Sequence, residues 1–165
     1  MVENSYGAVF IPMNKLNNLV YPIWWESTIT LYNRYQDPLT DLITWTRTVI
    51  HDCFVKRANN RIIIGGTSIE TGNKLVRIRE AENYVTYSKW IELPNDEKAK
   101  KFTLHLGDLV VFYEVDDVID EYTAGRRASD VLAKYKDMNE CMLITNYQEN
   151  IGSGRVDPHY YVLGT

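Results

Sequence analysis

The stretch LHLGDLVVFYEV, residues 104–115, predicts the fold class of this chain. Its first three residues alternate between apolar and polar side chains, which is the period of a half-buried strand. Gly107 and Asp108 then predict a tight turn or bulge, because glycine tolerates backbone angles that other residues avoid. Residues 109–113 are apolar without interruption, which is typical of a strand buried on both faces. We therefore expect the main core strand here, with the other strands wrapped around it.

Upstream segments carry the alternating or β-branched sequences of further strands. Residues 26–35 and 43–56 predict two long strands, and the short link between them predicts a hairpin. Shorter strands are expected at residues 61–64, 67–69 and 75–78 and an irregular strand at 84–91, whereas residues 94–101 suit a charged loop or one helical turn.

Downstream, residues 116–127 predict a mobile loop, because they are highly charged and contain few apolar anchors. Ser129 is expected to cap a short helix. One face of that helix is apolar and consists of Val131, Leu132, Tyr135 and Met138. Strands at residues 141–147 and 159–163 then complete the chain.

Links between the seven or eight strands are too short for parallel crossovers, so the sheet should be antiparallel. Closing it into a barrel would remove its unpaired edges. The predicted fold class is all-β, mainly antiparallel: a small β-barrel, residues 27–165, with one short helix near the C-terminus and an N-terminal arm, residues 1–26. The centre of the core is expected at Leu104, Leu109, Val111, Phe112, Val131 and Leu132.

Prolines 12 and 22 interrupt the arm, and its apolar residues fit no single strand or helix. We expect the arm to dock on another protein, as in strand addition between chains. Deleting residues 1–22 should then weaken assembly and leave the melting temperature nearly unchanged, whereas an arm that is one more strand of its own barrel would be needed for folding. The expected interface residues are Val9, Phe10, Ile11, Leu16, Leu19 and Val20.

Composition limits the possible partners and compartments. The 165 residues are 45% apolar with 12 tyrosines, and the net charge of −4 argues against broad non-specific binding to DNA. Cys53 and Cys141 form no CxxC pair and are expected to be free thiols. With neither a secretory signal nor an apolar run of membrane-spanning length, we expect a soluble, intracellular protein.

We expect no enzyme activity, cofactor or metal, because the three histidines are isolated and no metal-ligand spacing occurs. His51 and Cys53 would share one face of a regular strand, but a packed cysteine is the simpler interpretation. Tyr32 to Tyr35 could form a base-stacking platform or belong to a subunit interface.

The charged loop contains the candidate interaction residues. Its carboxylates could bind a hard cation, line a channel or remain solvated, and its arginine pair could meet phosphate or an acidic partner. The loop residues concerned are Asp116, Asp117, Asp120, Glu121, Arg126 and Arg127.

Three motifs in order resemble a family of small head–tail joining proteins of tailed phages of Gram-positive bacteria. The first is a YN-Y-D signature at Tyr32, Asn33, Tyr35 and Asp37, the second is TLxxGDxV at residues 103–110, and the third contains Gly152-Ser153, His159, Val162 and Gly164. The resemblance covers residues 28–165. The Phe112-Tyr113 pair departs from the family pattern and makes this strand more apolar.

The resemblance implies a structural virion protein that forms a head-closure or stopper ring. The implied partners are identical subunits in a dodecameric ring, a portal or adaptor ring above, tail proteins below, and viral DNA passing without sequence-specific binding. The implied locations are the virion and, during assembly, the host cytoplasm, with no membrane contact. The alternatives are an adaptor or tail-completion protein of the same neck, or a nucleic-acid-binding barrel of the OB or SH3-like kind.

Overall fold

A computed structural model of the chain describes residues 25–57, 61–64, 67–70, 73–136, 138–150 and 158–165. The predicted arm residues Val9, Phe10, Ile11, Leu16, Leu19 and Val20 lie outside these ranges. The described strands are β1 (Ser27–Gln36), β2 (Ile43–Lys56), β3 (Arg61–Ile64), β4 (Thr67–Glu70), β5 (Lys74–Arg79), β6 (Leu109–Val111), β7 (Cys141–Asn150) and β8 (His159–Gly164). The described helices are α1 (Tyr87–Ile91), α2 (Asn95–Lys98) and α3 (Ala128–Lys136).

Six of the strands form a closed antiparallel barrel in the order β1-β2-β5-β8-β7-β6, with β6 paired back to β1. The remaining two, β3 and β4, pair with each other in a separate two-stranded ribbon. Strands β1 and β2 form the expected hairpin. The all-β, antiparallel prediction is therefore confirmed.

The predicted core is divided between two clusters because side chains alternate across the barrel wall. Leu104 and Phe112 belong to the cluster that fills the barrel, together with Val110 of β6. Leu109 and Val111, also in β6, point to the opposite side and pack under α3. Residues of α3, Val131 and Leu132 among them, complete this second cluster.

Residues 84–91 are not the predicted strand. Helix α1 occupies most of the segment, and Tyr84 makes one isolated bridge to Phe102. The helical spacing places Trp90 and Tyr87 side by side, with ring centroids 6.4 Å apart, and Trp90 is fully buried. Burial of this large ring against Tyr35 outweighs the local β propensity.

The segment before Gly107 is also not a strand, although Leu104 is buried as expected. Gly107 has φ +88° in a turn. The buried carboxylate of Asp108 accepts N–H groups from the backbone of His105 (2.9 Å) and Arg34 (2.9 Å). It also accepts one from Asn33 Nδ2 (2.8 Å), so the turn is fixed to β1 by side-chain bonds instead of a strand ladder.

This carboxyl predicts a pH-dependent stability. Burial raises the pKa of Asp108 to about 7, against the opposing effect of its three N–H donors. The carboxyl therefore contributes stability that is complete below its unfolded pKa and is lost as the pH rises towards 7. We expect the destabilisation by Asp108→Asn, measured by urea unfolding, to be larger at pH 5 than at pH 8. An equal effect at both pH values would show that Asp108 titrates normally.

Helix α3 differs from the expectation at both ends. The helix begins at Ala128, so Ser129 lies within it and does not cap it. At this end the Asp130 carboxylate accepts the backbone N–H of Arg127 at 3.1 Å. Val131 and Tyr135 are buried as predicted. Met138 follows the last helical residue and is 61% exposed, because the helix ends before it could share the buried face.

Candidate functional site

The charged loop at residues 116–127 is attached to the outside of β1 and β6. Val115 and Ile119 are buried in the cluster that also contains Tyr32 and Val131. Within residues 116–127 only Ile119 is a buried apolar anchor, in agreement with the expectation of few such anchors, and Val115 adds a second anchor just before the loop.

Asp117 is the main polar anchor of the loop. Its carboxylate accepts bonds from the hydroxyl of Tyr135 and from Lys134 Nζ, the latter at 2.9 Å. Its backbone carbonyl accepts the hydroxyl of Tyr32 at 2.7 Å. The bonds from Tyr135 and Lys134 lower the pKa of Asp117. Asp117 therefore serves to hold the loop between β1 and α3, which makes it unsuited to meet a partner.

Strand β2 supports the same loop from one side. Arg47 donates to the carbonyl of Val115 (2.6 Å) and to Asp116 Oδ1 (3.0 Å). Trp45 Nε1 donates to Glu121 Oε1 at 2.8 Å. The Asp116 side chain is nevertheless 98% exposed, so its carboxylate remains available to a partner.

The tip of the loop is closed by Asp120. Its carboxylate accepts the Thr123 hydroxyl (2.5 Å) and the backbone N–H of Tyr122 (3.0 Å), and these bonds lower the pKa of Asp120. The Tyr122 hydroxyl in turn accepts the backbone N–H of Ile43. These bonds give the tip a defined shape that presents charge at a fixed position.

An open groove of about 310 Å³ lies between the loop and α3. It brings together three of the six predicted loop residues, Asp116, Asp117 and Arg126. Asp120, Glu121 and Arg127 are not among its lining residues. The exposed side chain of Val118 also lines it, so the groove mixes both charges with apolar surface and suits contact with another macromolecule.

His51 and Cys53 do not form the pair that regular alternation would give. A bulge in β2 centres on Asp52, whose φ is +56°, and the register with β1 shifts there. His51 is exposed and contacts Thr28 Oγ1 through Nδ1 (3.1 Å), whereas Cys53 is fully buried. Burial raises the pKa of Cys53 to about 12, so it is not an activated nucleophile.

Both thiols should therefore resist alkylation in the folded protein. Cys53 and Cys141 are 0% and 1% exposed, and burial also raises the pKa of Cys141. We expect iodoacetamide at pH 8 to modify neither thiol in native conditions and both in urea, as measured by intact-mass spectrometry. Rapid modification of the native protein would contradict this assignment.

Tyr32 to Tyr35 do not form the base-stacking platform considered from sequence. Tyr32 is 1% exposed and Asn33 is fully buried, so neither can stack on a nucleobase. Their roles are to hold the loop through Asp117 and the turn through Asp108.

A second surface was missed by sequence reasoning. Phe54 of β2, Arg77 of β5 and Tyr161 of β8 are direct cross-strand neighbours on the outside of the barrel. The Arg77 guanidinium carbon lies 5.5 Å from the centre of the Phe54 ring and 5.6 Å from that of Tyr161. Alternation marks each residue as outward-facing, but only the register places the three in one row.

Within the described ranges, no group of three or more His, Cys, Asp and Glu side chains is arranged to hold a metal ion. In the same ranges, no helix has the length and apolar character needed to cross a bilayer.

A family model described as "Family of unknown function (DUF6751)" matches residues 23–165. Neither the curated proteins nor the solved structures include a match to this sequence.

Proposed function

The chain belongs to this family of unknown function, whose description assigns no activity, and we propose that it is a structural virion protein of a tailed phage. In this proposal it is the subunit of a ring-forming head–tail connector of the head-closure or stopper kind. Its action is contact with identical subunits and neighbouring rings, without covalent chemistry.

The observation that carries the proposal is the firmly held charged loop on a closed barrel. A ring subunit needs a rigid body with projecting groups at defined positions, and the loop is fixed to that body by Asp117, Arg47 and buried Ile119. Exposed carboxylates such as Asp116 would repel DNA phosphates where they face a channel. This arrangement agrees with the role implied by the motifs at Tyr32–Asp37 and residues 103–110.

The same motifs have a common structural basis. Asn33 of the first motif donates to Asp108 of the second at 2.8 Å, and its Nδ2 also donates to the Thr103 carbonyl at 2.8 Å. Residues of the first two motifs therefore hold β1 to the turn before β6, which is a structural role.

An adaptor or tail-completion role in the same neck would use the same kind of surface. A nucleic-acid-binding barrel is a second candidate, favoured by the row of Phe54, Arg77 and Tyr161, because arginine and aromatic rings together bind single strands. The net charge of −4 weighs against it.

Purified full-length protein should form rings that are visible by negative-stain electron microscopy and elute early in gel filtration. Particles from a phage that lacks this protein should contain heads without joined tails. A strictly monomeric protein that binds a single-stranded oligonucleotide in fluorescence anisotropy would favour the nucleic-acid-binding candidate instead.

A further inference from the structure

The outer face of β2, β5 and β8 carries positive charge next to aromatic rings. Arg77 lies between Phe54 and Tyr161, and its guanidinium has no carboxylate within 4.0 Å among the residues that the structure describes. Its Nε is buried without a hydrogen-bond partner there. Lys56, two residues after Phe54 on the same face of β2, is exposed. We name this surface, Phe54, Lys56, Arg77 and Tyr161, the basic face.

A second surface has the opposite charge and exposed apolar side chains. Residues 114–121 contain five carboxylates, and although Asp116 pairs with Arg47 and Asp117 with Lys134, the other three leave an excess of negative charge. Val118 is 62% exposed and Tyr122 is 63% exposed, although both are large apolar side chains. Leu42 is 50% exposed. It lies beside Tyr122, because the backbone N–H of the next residue, Ile43, donates to the Tyr122 hydroxyl. We name this surface, residues 114–122 with Leu42, the acidic face.

The two faces are different surfaces of the barrel that share only β2, whose first half supports the acidic loop through Trp45 and Arg47 and whose last residues belong to the basic face. The acidic face covers β1 and β6, since its anchors pack with Tyr32 and Leu109. In the closed strand order, β8 lies three strands from β1, and β5 lies three strands from β6. Two different, complementary surfaces produce head-to-tail contacts, and such contacts close into a ring when the rotation allows.

We propose that the basic face of one subunit binds the acidic face of a second copy of this chain. This inference rests on the proposed ring function and identifies its subunit contact. Arginine and aromatic side chains are the residues most enriched at the centres of protein interfaces. A carboxylate of the neighbour would pair with the guanidinium of Arg77, which has no carboxylate partner among the described residues, and Val118 and Tyr122 would be covered.

The test compares five full-length proteins, the wild type, three single variants and one double variant, by sedimentation velocity and negative-stain microscopy over a range of concentrations and salt. Arg77→Glu reverses the charge of the basic face, and Val118→Arg places a positive charge in the acidic face. Lys89→Glu is the matched control, because Lys89 is an exposed residue of α1 outside both faces. Circular dichroism checks that each variant is folded.

We expect Arg77→Glu and Val118→Arg each to raise the dissociation constant between subunits at least tenfold, and Lys89→Glu to leave it within twofold. Combining Arg77→Glu with Val118→Arg should recover part of the lost affinity, because the charges are again opposite. Wild-type association should weaken with added salt.

If the wild type forms rings and both single variants form the same rings, the proposed contact is wrong and the ring function remains. The wild type could instead form dimers or filaments and no closed ring. If Arg77→Glu abolishes that association, the contact is supported and the ring function is rejected. If Arg77→Glu leaves association unchanged but abolishes binding of a single-stranded DNA oligonucleotide, the basic face binds nucleic acid and the proposal is wrong. A double variant no tighter than Arg77→Glu would show that the two faces do not meet.

Discussion

Replacing Phe112 by alanine should lower the free energy of unfolding by about 3–5 kcal/mol, the range for deleting a large buried ring. Phe112 is 5% exposed and belongs to the cluster inside the barrel. Its ring also accepts a cation–π contact from Arg57, at 5.5 Å. The lost stability has two parts, the hydrophobic free energy gained by burying the ring and the cost of the cavity that remains. The cavity remains because the closed barrel cannot collapse freely around it.

Urea unfolding followed by tryptophan fluorescence measures this effect. Leu39→Ala is the control, since Leu39 is 93% exposed in the turn between β1 and β2, and it should change stability by less than about 0.5 kcal/mol. A loss below about 1 kcal/mol for Phe112→Ala would mean that this side chain does not fill the barrel.

Replacing Asp108 by alanine should lower the free energy of unfolding at pH 7 by about 3 kcal/mol. The change removes the acceptor of three N–H groups, on Asn33, Arg34 and His105. Each buried donor left without a partner costs about 1–3 kcal/mol, and relief from burying the carboxylate recovers part of the total. Because these bonds connect the turn before β6 with β1, both strands should lose protection from hydrogen exchange.

The matched control is Asp96→Ala, which removes an exposed carboxylate of α2 and should change stability by less than about 0.5 kcal/mol. If Asp108→Ala were as mild as this control, water would be replacing the carboxylate and the buried network would not stabilise the turn.

Local sequence determined the strands whose own pattern matches their burial. The hairpin of β1 and β2, strands β5 and β8, and the turn at Gly107 agree with the expectation, because alternation and glycine act over a few residues. The charged loop was also located correctly from its composition. The antiparallel class followed from the short links, which leave no room for parallel crossovers.

The tertiary structure decided the features that depend on residues far apart in the chain. Helix α1 forms where a strand was expected because Trp90 packs against Tyr35, 55 positions away. The bulge at Asp52 separates His51 from Cys53, and burial of Asp108 replaces a predicted strand with a turn.

For the candidate surfaces, the sequence by itself determined which residues are charged or aromatic and which positions alternate outward. It did not determine that Phe54, Arg77 and Tyr161 form one row, or that Asp117 is held by Tyr32, Lys134 and Tyr135. Those neighbours come from different strands and from α3, so their contact depends on the register and closure of the barrel. Register is set by packing energy summed over the whole sheet, which no short stretch of sequence contains.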